Sequence, residues 1–480
     1  MKTIGTAEKG RRPLYEEVAH RLSHMVDDGT FRPGEKVPSI RAMSTRLQVS
    51  VNTVKTAYGM LEDRRVIEAR PQSGYYVCAR LPALPTEPDA RRPLLGAAAV
   101  ESGAMVSRIM RDVNDPDRVQ FGAAIPDPRL LPSEKLSRIM AAEMRRTKDH
   151  GTGYAMGMGL PKLRQQIARH MLKAGVTLAP DEILITSGAS EAVSLAMKVL
   201  CRPGDTVAIG APVYFNFLQM FRDMGLKVLE VPSSPVDGIH LDALERALSR
   251  NRVSACLQVT NFNNPLGVSL SEEKKRDLVA LLKRYRVPLV EDDINGDIAF
   301  DGIRPGVCKA HDDNGMVILC SSFSKTLAPG YRIGWMAPGR FAERVQRLKM
   351  VSTLATATPT QLAVAEFLAN GGYEHHLRRL RRTCADRVAA MGEMVGDTFP
   401  EGTRVTRPKG GFTLWVEMPE TVDSMKLYTT LETQGITVAP GSLFSTGDSF
   451  HNYLRLNAAP FTPETRWALE AVGEAACGLV

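Results

Sequence analysis

The chain has 480 residues, 44% hydrophobic and 24% charged, with a net charge of +8 and seven cysteines. That length calls for two or three domains, and the balance is that of a globular protein rather than a disordered one. No run of about 18 apolar residues occurs and the opening MKTIGTAEKGRRP has no apolar core, so neither a membrane span nor a signal peptide is expected, and the expected location is cytoplasmic. The cysteines are odd in number and never form a C-x-x-C pair, which argues against a disulfide framework or a metal site.

Residues 12–78 read as one small module. Leu14, Val18, Leu22, Met25 and Val26 recur at helical spacing and predict a first helix. Pro33-Gly34 breaks the chain, and Ser39 can cap a second helix that runs to Leu47. After a break at Gln48-Val49, Ser50 can cap a third helix whose apolar stripe is Val54, Ala57, Tyr58 and Leu61. Its opening turn is polar instead: Asn52, Thr53, Lys55 and Thr56. Two β-prone runs then flank Pro71-Gln72-Ser73-Gly74, a hairpin signal. Residues 1–80 hold 14 Lys and Arg against 9 Asp and Glu, a surplus of five that makes up most of the chain's excess. Such a segment suits a polyanion, unless the face is only solvated.

Residues 79–118, with Pro82, Pro85, Pro88 and Pro93, read as a linker. From about 119 onward, short apolar runs (EILIT, TVAIG, ACLQVT, VPLVED, VILCSSF) alternate with helical ones. The expectation is α/β, a mainly parallel sheet covered on both faces, with functional loops at the strands' carboxyl ends. A large lobe would span about 150–350 and a smaller α+β lobe about 351–480.

Two helices joined by a tight break, the second opening with small polar and basic residues, form a helix-turn-helix. One helix fits the major groove of B-DNA, and its first residues meet base edges. Residues 12–78 resemble the GntR-family winged helix-turn-helix through GTFRPGEKVPSIRAMSTRLQVSVNTVKTAYGMLEDRRVI and SGYYV. The resemblance implies contacts to operator DNA from Arg41, Ser50, Asn52, Thr53 and Lys55, and from a wing at Gln72 and Ser73. A winged helix can also serve as a protein-interaction module, and that alternative stays open.

In SSFSKTLAPGYRIGW, residues 321–335, Lys325 follows an expected strand. Ser322, Ser324 and Arg332 offer hydroxyl donors and a guanidinium suited to a phosphate. A lysine that forms a Schiff base must be neutral part of the time, which burial promotes. The stretch resembles the lysine site of fold-type-I aminotransferases, and further likeness extends over most of 119–480 in chain order. It implies pyridoxal 5′-phosphate joined to Lys325 as a Schiff base, with phosphate held by the amides of Ala189 and Ser190 in ITSGASEAVSL. Tyr214 in APVYFNF would stack on the ring, and Asn264 in NFNNPLG would donate to its phenolic oxygen. Asp292 in VEDDING would pair with the pyridine nitrogen. Arg455 in YLRLNAA would bind a substrate or effector carboxylate. Tyr154 would reach a neighbouring subunit's cofactor, which implies a homodimer. The head and body together resemble the MocR subfamily of GntR-family regulators. One position departs from the pattern: the tyrosine usually found three residues after the first aspartate is Asn295 here. Two functions follow, a regulator sensing an amine, an amino acid or the cofactor itself, and a working aminotransferase with a secondary DNA head.

Overall fold

Residues 13–27, 30–32, 34–63, 66–70, 73–77, 85–90, 96–98, 106, 108–109, 115, 117–447 and 449–480 are described in this computed structural model. Gln72 lies outside the described residues, as does most of the stretch 91–116. The chain divides after residue 83 into two compact units.

In the first unit, α1 (Leu14–Asp27), α2 (Ile40–Leu47) and α3 (Val51–Asp63) precede a hairpin of β1 (Ile67–Arg70) and β2 (Gly74–Val77). Ser39 accepts from the Ala42 amide at 3.2 Å and starts α2, and Gln48, at φ +54°, ends it. Ser50 accepts from the Thr53 amide at 3.0 Å and starts α3. Both caps satisfy donors that a helix start leaves free. Val18, Leu22, Met43, Val54, Tyr58 and Leu61 meet Ile67 and Val77 in the core. Tyr58 donates to the Pro38 carbonyl at 2.6 Å, tying α3 to the turn before α2, and burial pushes its phenol up to about 12.

The second unit is built on a sheet with nine strands among the described residues: β3 (Ala97–Ala98), β5 (Leu184–Thr186), β6 (Thr206–Ala211), β7 (Lys227–Ser234), β8 (Gly238–Ile239), β9 (Ala255–Val259), β10 (Leu289–Asp292), β11 (Val317–Ser322) and β12 (Gly334–Ala337). The order is β3-β7-β6-β9-β10-β11-β12-β5, with β8 paired to β7. Strands β7, β6, β9, β10 and β11 run parallel to one another, β12 runs against both β11 and β5, and β3 and β8 run against β7. Successive residues point to opposite faces: Val207, Leu257, Val290 and Ile318 pack under the helix Ala189–Leu200, whereas Ala208, Cys256, Leu289 and Val317 pack under Leu241–Arg250 and Glu272–Tyr285. Burial on both faces explains why these strands read as unbroken apolar runs.

The C-terminal lobe has a four-stranded antiparallel sheet, with order β13-β14-β17-β16, of β13 (Arg404–Val405), β14 (Thr413–Glu417), β16 (Ala439–Pro440) and β17 (Tyr453–Asn457). Beside it β4 (Val119–Gln120) pairs in parallel with β15 (Ile436–Thr437). Parts of the expected linker are bound to this unit. The Thr86 carbonyl accepts from the Val405 amide at 3.0 Å, β3 extends the large sheet along β7, and Arg108 forks onto Glu432. The six described cysteines are free, and no described helix is long and apolar enough to cross a membrane.

Candidate functional site

Each chemically equipped segment leaves the carboxyl end of a strand pointing the same way. Thr186 ends β5 before Gly188-Ala189, Ala211 ends β6 before Tyr214, and Val259 ends β9 before Asn264. Asp292 ends β10, and Ser322 ends β11 before Lys325. Parallel strands deliver loops to one rim of a sheet, where open α/β folds place their ligands. There Ala189, Ser190, Tyr214, Asn264, Asp292, Ser324, Lys325 and Arg332 line one cavity of about 120 Å³.

At one end is a cradle of donors. The helix Ala189–Leu200 opens at Gly188, so its first amides lack partners within the helix and its dipole favours an anion. Arg332 donates to Ser324 Oγ at 3.3 Å and to the Ser187 carbonyl at 3.1 Å, which places its guanidinium beside that opening. Two glycines make the approach feasible. A Cβ on Gly188, whose φ is +85°, would collide with the Arg332 guanidinium, and one on Gly334 would lie 2.6 Å from the Gly188 Cα and 2.8 Å from the Ala189 nitrogen. Ser322 sits one layer behind: its hydroxyl donates to the Ile333 carbonyl at 3.1 Å, accepts from the Ser324 amide at 3.0 Å and lies 2.7 Å from Ser324 Oγ.

In the middle are a lysine and a carboxylate, both buried. Lys325 Nζ donates to the Ala124 carbonyl at 2.6 Å. Burial and the Arg455 charge lower its amine to about 8, against the opposing pull of Asp292. Burial raises the Asp292 carboxyl to about 7; Asp293 adds to the rise, while the Ile294 amide and Lys325 oppose it. Asp292 Oδ1 is buried and accepts no hydrogen bond. A buried carboxylate oxygen without a partner is costly, so this atom awaits a donor from the cavity.

Arg455 is fully buried just beyond, with no carboxylate partner among the described residues. It donates to Asn264 Oδ1 at 3.1 Å and to the Gly122 carbonyl, and its Nε has no partner. Burial lowers its guanidinium to about 10. Tyr214, beside Phe215 and Phe217, forms an aromatic wall and accepts from Asn216 at 2.9 Å. Asn295 also lines the cavity, but its amide donates to the Phe262 carbonyl at 2.8 Å and so braces the Asn264 loop. Tyr154 lies outside the cavity, with 77% of its surface exposed.

In the first unit Arg41, Ser50, Asn52 and Lys55 are exposed on α2 and the start of α3, and Thr53 is half-buried. Arg41 and Lys55 have no carboxylate within ion-pair distance among the described residues. Ser73 lies exposed at the hairpin tip, 2.6 Å from the Tyr76 hydroxyl. Two features escaped sequence reasoning. Val51 opens α3 with 48% of its surface exposed, an apolar side chain that a thymine methyl group would suit. The segment 121–125 contacts both Lys325 and Arg455 through its carbonyls, and backbone contacts leave no residue-type signal.

The mixed sheet with its rim cavity is the architecture of fold-type-I pyridoxal-phosphate enzymes, preceded here by a winged helix-turn-helix. Residues 125–470 match the family model "Aminotransferase class I and II", and residues 14–77 match "Bacterial regulatory proteins, gntR family". The uncharacterized HTH-type transcriptional regulator YdcR of Escherichia coli (strain K12) is 39% identical over 93% of this chain and 95% of its own length. A second from the same organism, YjiR, is 38% identical over 96% and 98%. The crystal structure of a multiple substrate aminotransferase from Thermococcus profundus superposes with a TM-score of 0.73 at 27% identity, covering 78% of this chain and 95% of that one. The chain therefore belongs to the aminotransferase class I and II family and carries a gntR-family head, the two-part build of the MocR subfamily.

Proposed function

We propose that this protein is a cytoplasmic, homodimeric transcriptional regulator that binds operator DNA through its head, holds pyridoxal 5′-phosphate on Lys325, and senses an amine, an amino acid or the cofactor itself. The observation that carries the reading is the pair of buried groups at the strand rim: Asp292 Oδ1, without a hydrogen-bond donor, and Lys325, with its amine lowered to about 8. Bound there, the cofactor supplies an electrophilic carbon for a primary amine and a ring that withdraws electrons.

The chain's own residues do the rest. Lys325 is neutral for part of the time near pH 8 and can act as the nucleophile. Asp292 would accept a hydrogen bond from a ring nitrogen and keep it protonated, Tyr214 would cover a ring face, and Asn264 would offer its amide to a phenolic oxygen. Arg332, Ser324 and the amides of Ala189 and Ser190 take a phosphate, with Ser322 fixing Ser324. Arg455 takes a carboxylate, for which its Nε is free. Tyr154 serves the site of a second copy. In the head, Arg41, Ser50, Asn52, Thr53, Lys55, Gln72 and Ser73 would make the contacts to DNA. An effector then biases DNA binding only by binding one conformation better than another.

A working aminotransferase is the second reading, favoured by the gathering of Asn264, Asp292 and Lys325 around one cavity with Arg455 bonded to Asn264. Against fast turnover stands Asn295, which offers no phenolic hydroxyl and is engaged by Phe262. Borohydride reduction of the protein loaded with pyridoxal phosphate, followed by peptide mapping, tests the shared core of both readings. Label on Lys325 is expected, and label elsewhere or none would overturn them. Incubation with an amino acid and a second keto acid as amino acceptor separates the two, because multiple-turnover release of the first amino acid's keto acid belongs to the enzyme alone.

A further inference from the structure

The segment from Phe121 to Ile125 crosses the site with bends at Gly122 and Ala123, and its carbonyls fall into two sets. The odd-numbered ones face Asn457. Its backbone amide donates to the Phe121 carbonyl at 2.9 Å, and its side-chain amide donates to Ala123 at 2.6 Å and Ile125 at 2.9 Å. The even-numbered ones go to the two cations instead: Gly122 accepts from Arg455, and Ala124 accepts from Lys325 at 2.6 Å. Asn457 is itself fixed. It is 1% exposed, its Oδ1 accepts from the Ala459 amide at 2.9 Å, and it stands two residues from Arg455 on β17. Gly122 is pressed so closely onto β15 and its exit that a Cβ there would lie 2.9 Å from the Val438 carbonyl oxygen.

We propose that Asn457 is a positioning residue: by pinning one row of carbonyls on residues 121–125, it aims the other row at the two cations of the site, Lys325 and Arg455. This rests on the reading of Lys325 as the cofactor lysine. The consequence is chemical as well as geometric. A carbonyl aimed at Lys325 stabilises its ammonium form and partly offsets the burial that lowers its amine. The other groups that act on Lys325 are Asp292 from β10, Arg332 from the turn before β12 and Arg455 from β17, with Tyr214 lining the same cavity. A ligand carboxylate at Arg455 would meet a guanidinium that the Gly122 carbonyl and Asn264 already hold in place, with its Nε free to donate.

The test is the pH profile of the rate at which the full-length protein, stripped of cofactor, captures pyridoxal 5′-phosphate, followed by absorbance. Asn457→Leu keeps the branched shape with some added volume and removes the side-chain donor; Asn457→Gln keeps an amide. The wild type should reach half its maximal rate near pH 8, where Lys325 loses its proton. Losing an aimed hydrogen bond to a charged group should move that midpoint down by about one pH unit in Asn457→Leu. Asn457→Gln should recover part of the shift. Asn457→Ser, which leaves room for a water, replaces the leucine variant should that one fail to fold. A folded variant lacking the amide with an unmoved midpoint overturns the role of Asn457 and leaves the cofactor reading intact. A wild type that never captures the cofactor on Lys325 overturns both.

Discussion

Replacing Asp292 by Asn removes one charge and almost no volume, so its effect on stability isolates electrostatics. Burial first, and Asp293 second, raise this carboxyl from 3.8 to about 7. A carboxyl whose folded pKa is raised holds its proton longer when folded than when unfolded. The folded state therefore loses stability as pH rises from about 4 to about 7, and the full penalty persists above that. Three pKa units at about 1.4 kcal/mol each give roughly 4 kcal/mol. In the protein stripped of cofactor, Asn at 292 should thus raise stability by up to about 4 kcal/mol at pH 8 and change it little at pH 4. Urea unfolding of both proteins, run in parallel from pH 4 to pH 8, measures the difference. Adding pyridoxal phosphate should reverse the order, because the wild-type carboxylate then gains the donor it lacks. An Asn variant that is less stable without cofactor at pH 8, or a difference that does not change with pH, would refute the idea of a carboxylate held ready for a cation.

Gly334→Ala presses a methyl group onto the Gly188 backbone, which cannot swing aside as a side chain can. It should lower the stability of the second unit by about 1–3 kcal/mol and weaken pyridoxal phosphate affinity more than affinity for pyridoxal, which lacks the phosphate; equal losses for both would contradict the cradle. Arg41→Ala and Lys55→Ala should each weaken binding to genomic DNA fragments. Where the contact is to phosphate, each should reduce the slope of log K against log salt by about 1 per head; wild-type affinity and slope in both variants would argue for a head that binds protein.

Much of this was legible from residue order, for identifiable reasons. Strands buried on both faces show as apolar runs, so β5, β6, β9, β10 and β11 could be placed from sequence. Serine caps also announce themselves, and Ser39 and Ser50 start α2 and α3 as expected. Strand β7 was missed because Glu230 and Pro232 interrupt the buried apolar run of Val228, Leu229 and Val231, unlike the unbroken runs of its neighbours. In the fold Glu230 is buried and accepts from Ser445 at 2.7 Å and from Thr446, a pairing about 215 residues away in sequence. Strand β12 begins at Gly334 inside the lysine motif, a stretch read for its chemistry and not for a strand. Among site residues, side chains with distinctive chemistry were visible: Lys325, Asp292, Arg332 and Arg455. Ser322 shares the motif but stands behind Ser324, a distinction of one layer that spacing does not carry. Gly122 and Ala124 act through carbonyls, which every residue possesses, so nothing marked them before the fold brought them to Arg455 and Lys325.

The central claim is that Lys325 joins chemical sensing to DNA binding. Its most direct test is DNA affinity measured at fixed salt for the wild type and for Lys325→Ala, each with and without pyridoxal phosphate and a panel of amines and amino acids. The account predicts that at least one ligand changes the wild-type affinity, and that Lys325→Ala loses both the cofactor's absorbance band and that change while still binding DNA. A Lys325→Ala protein that keeps the full ligand-dependent change would contradict it.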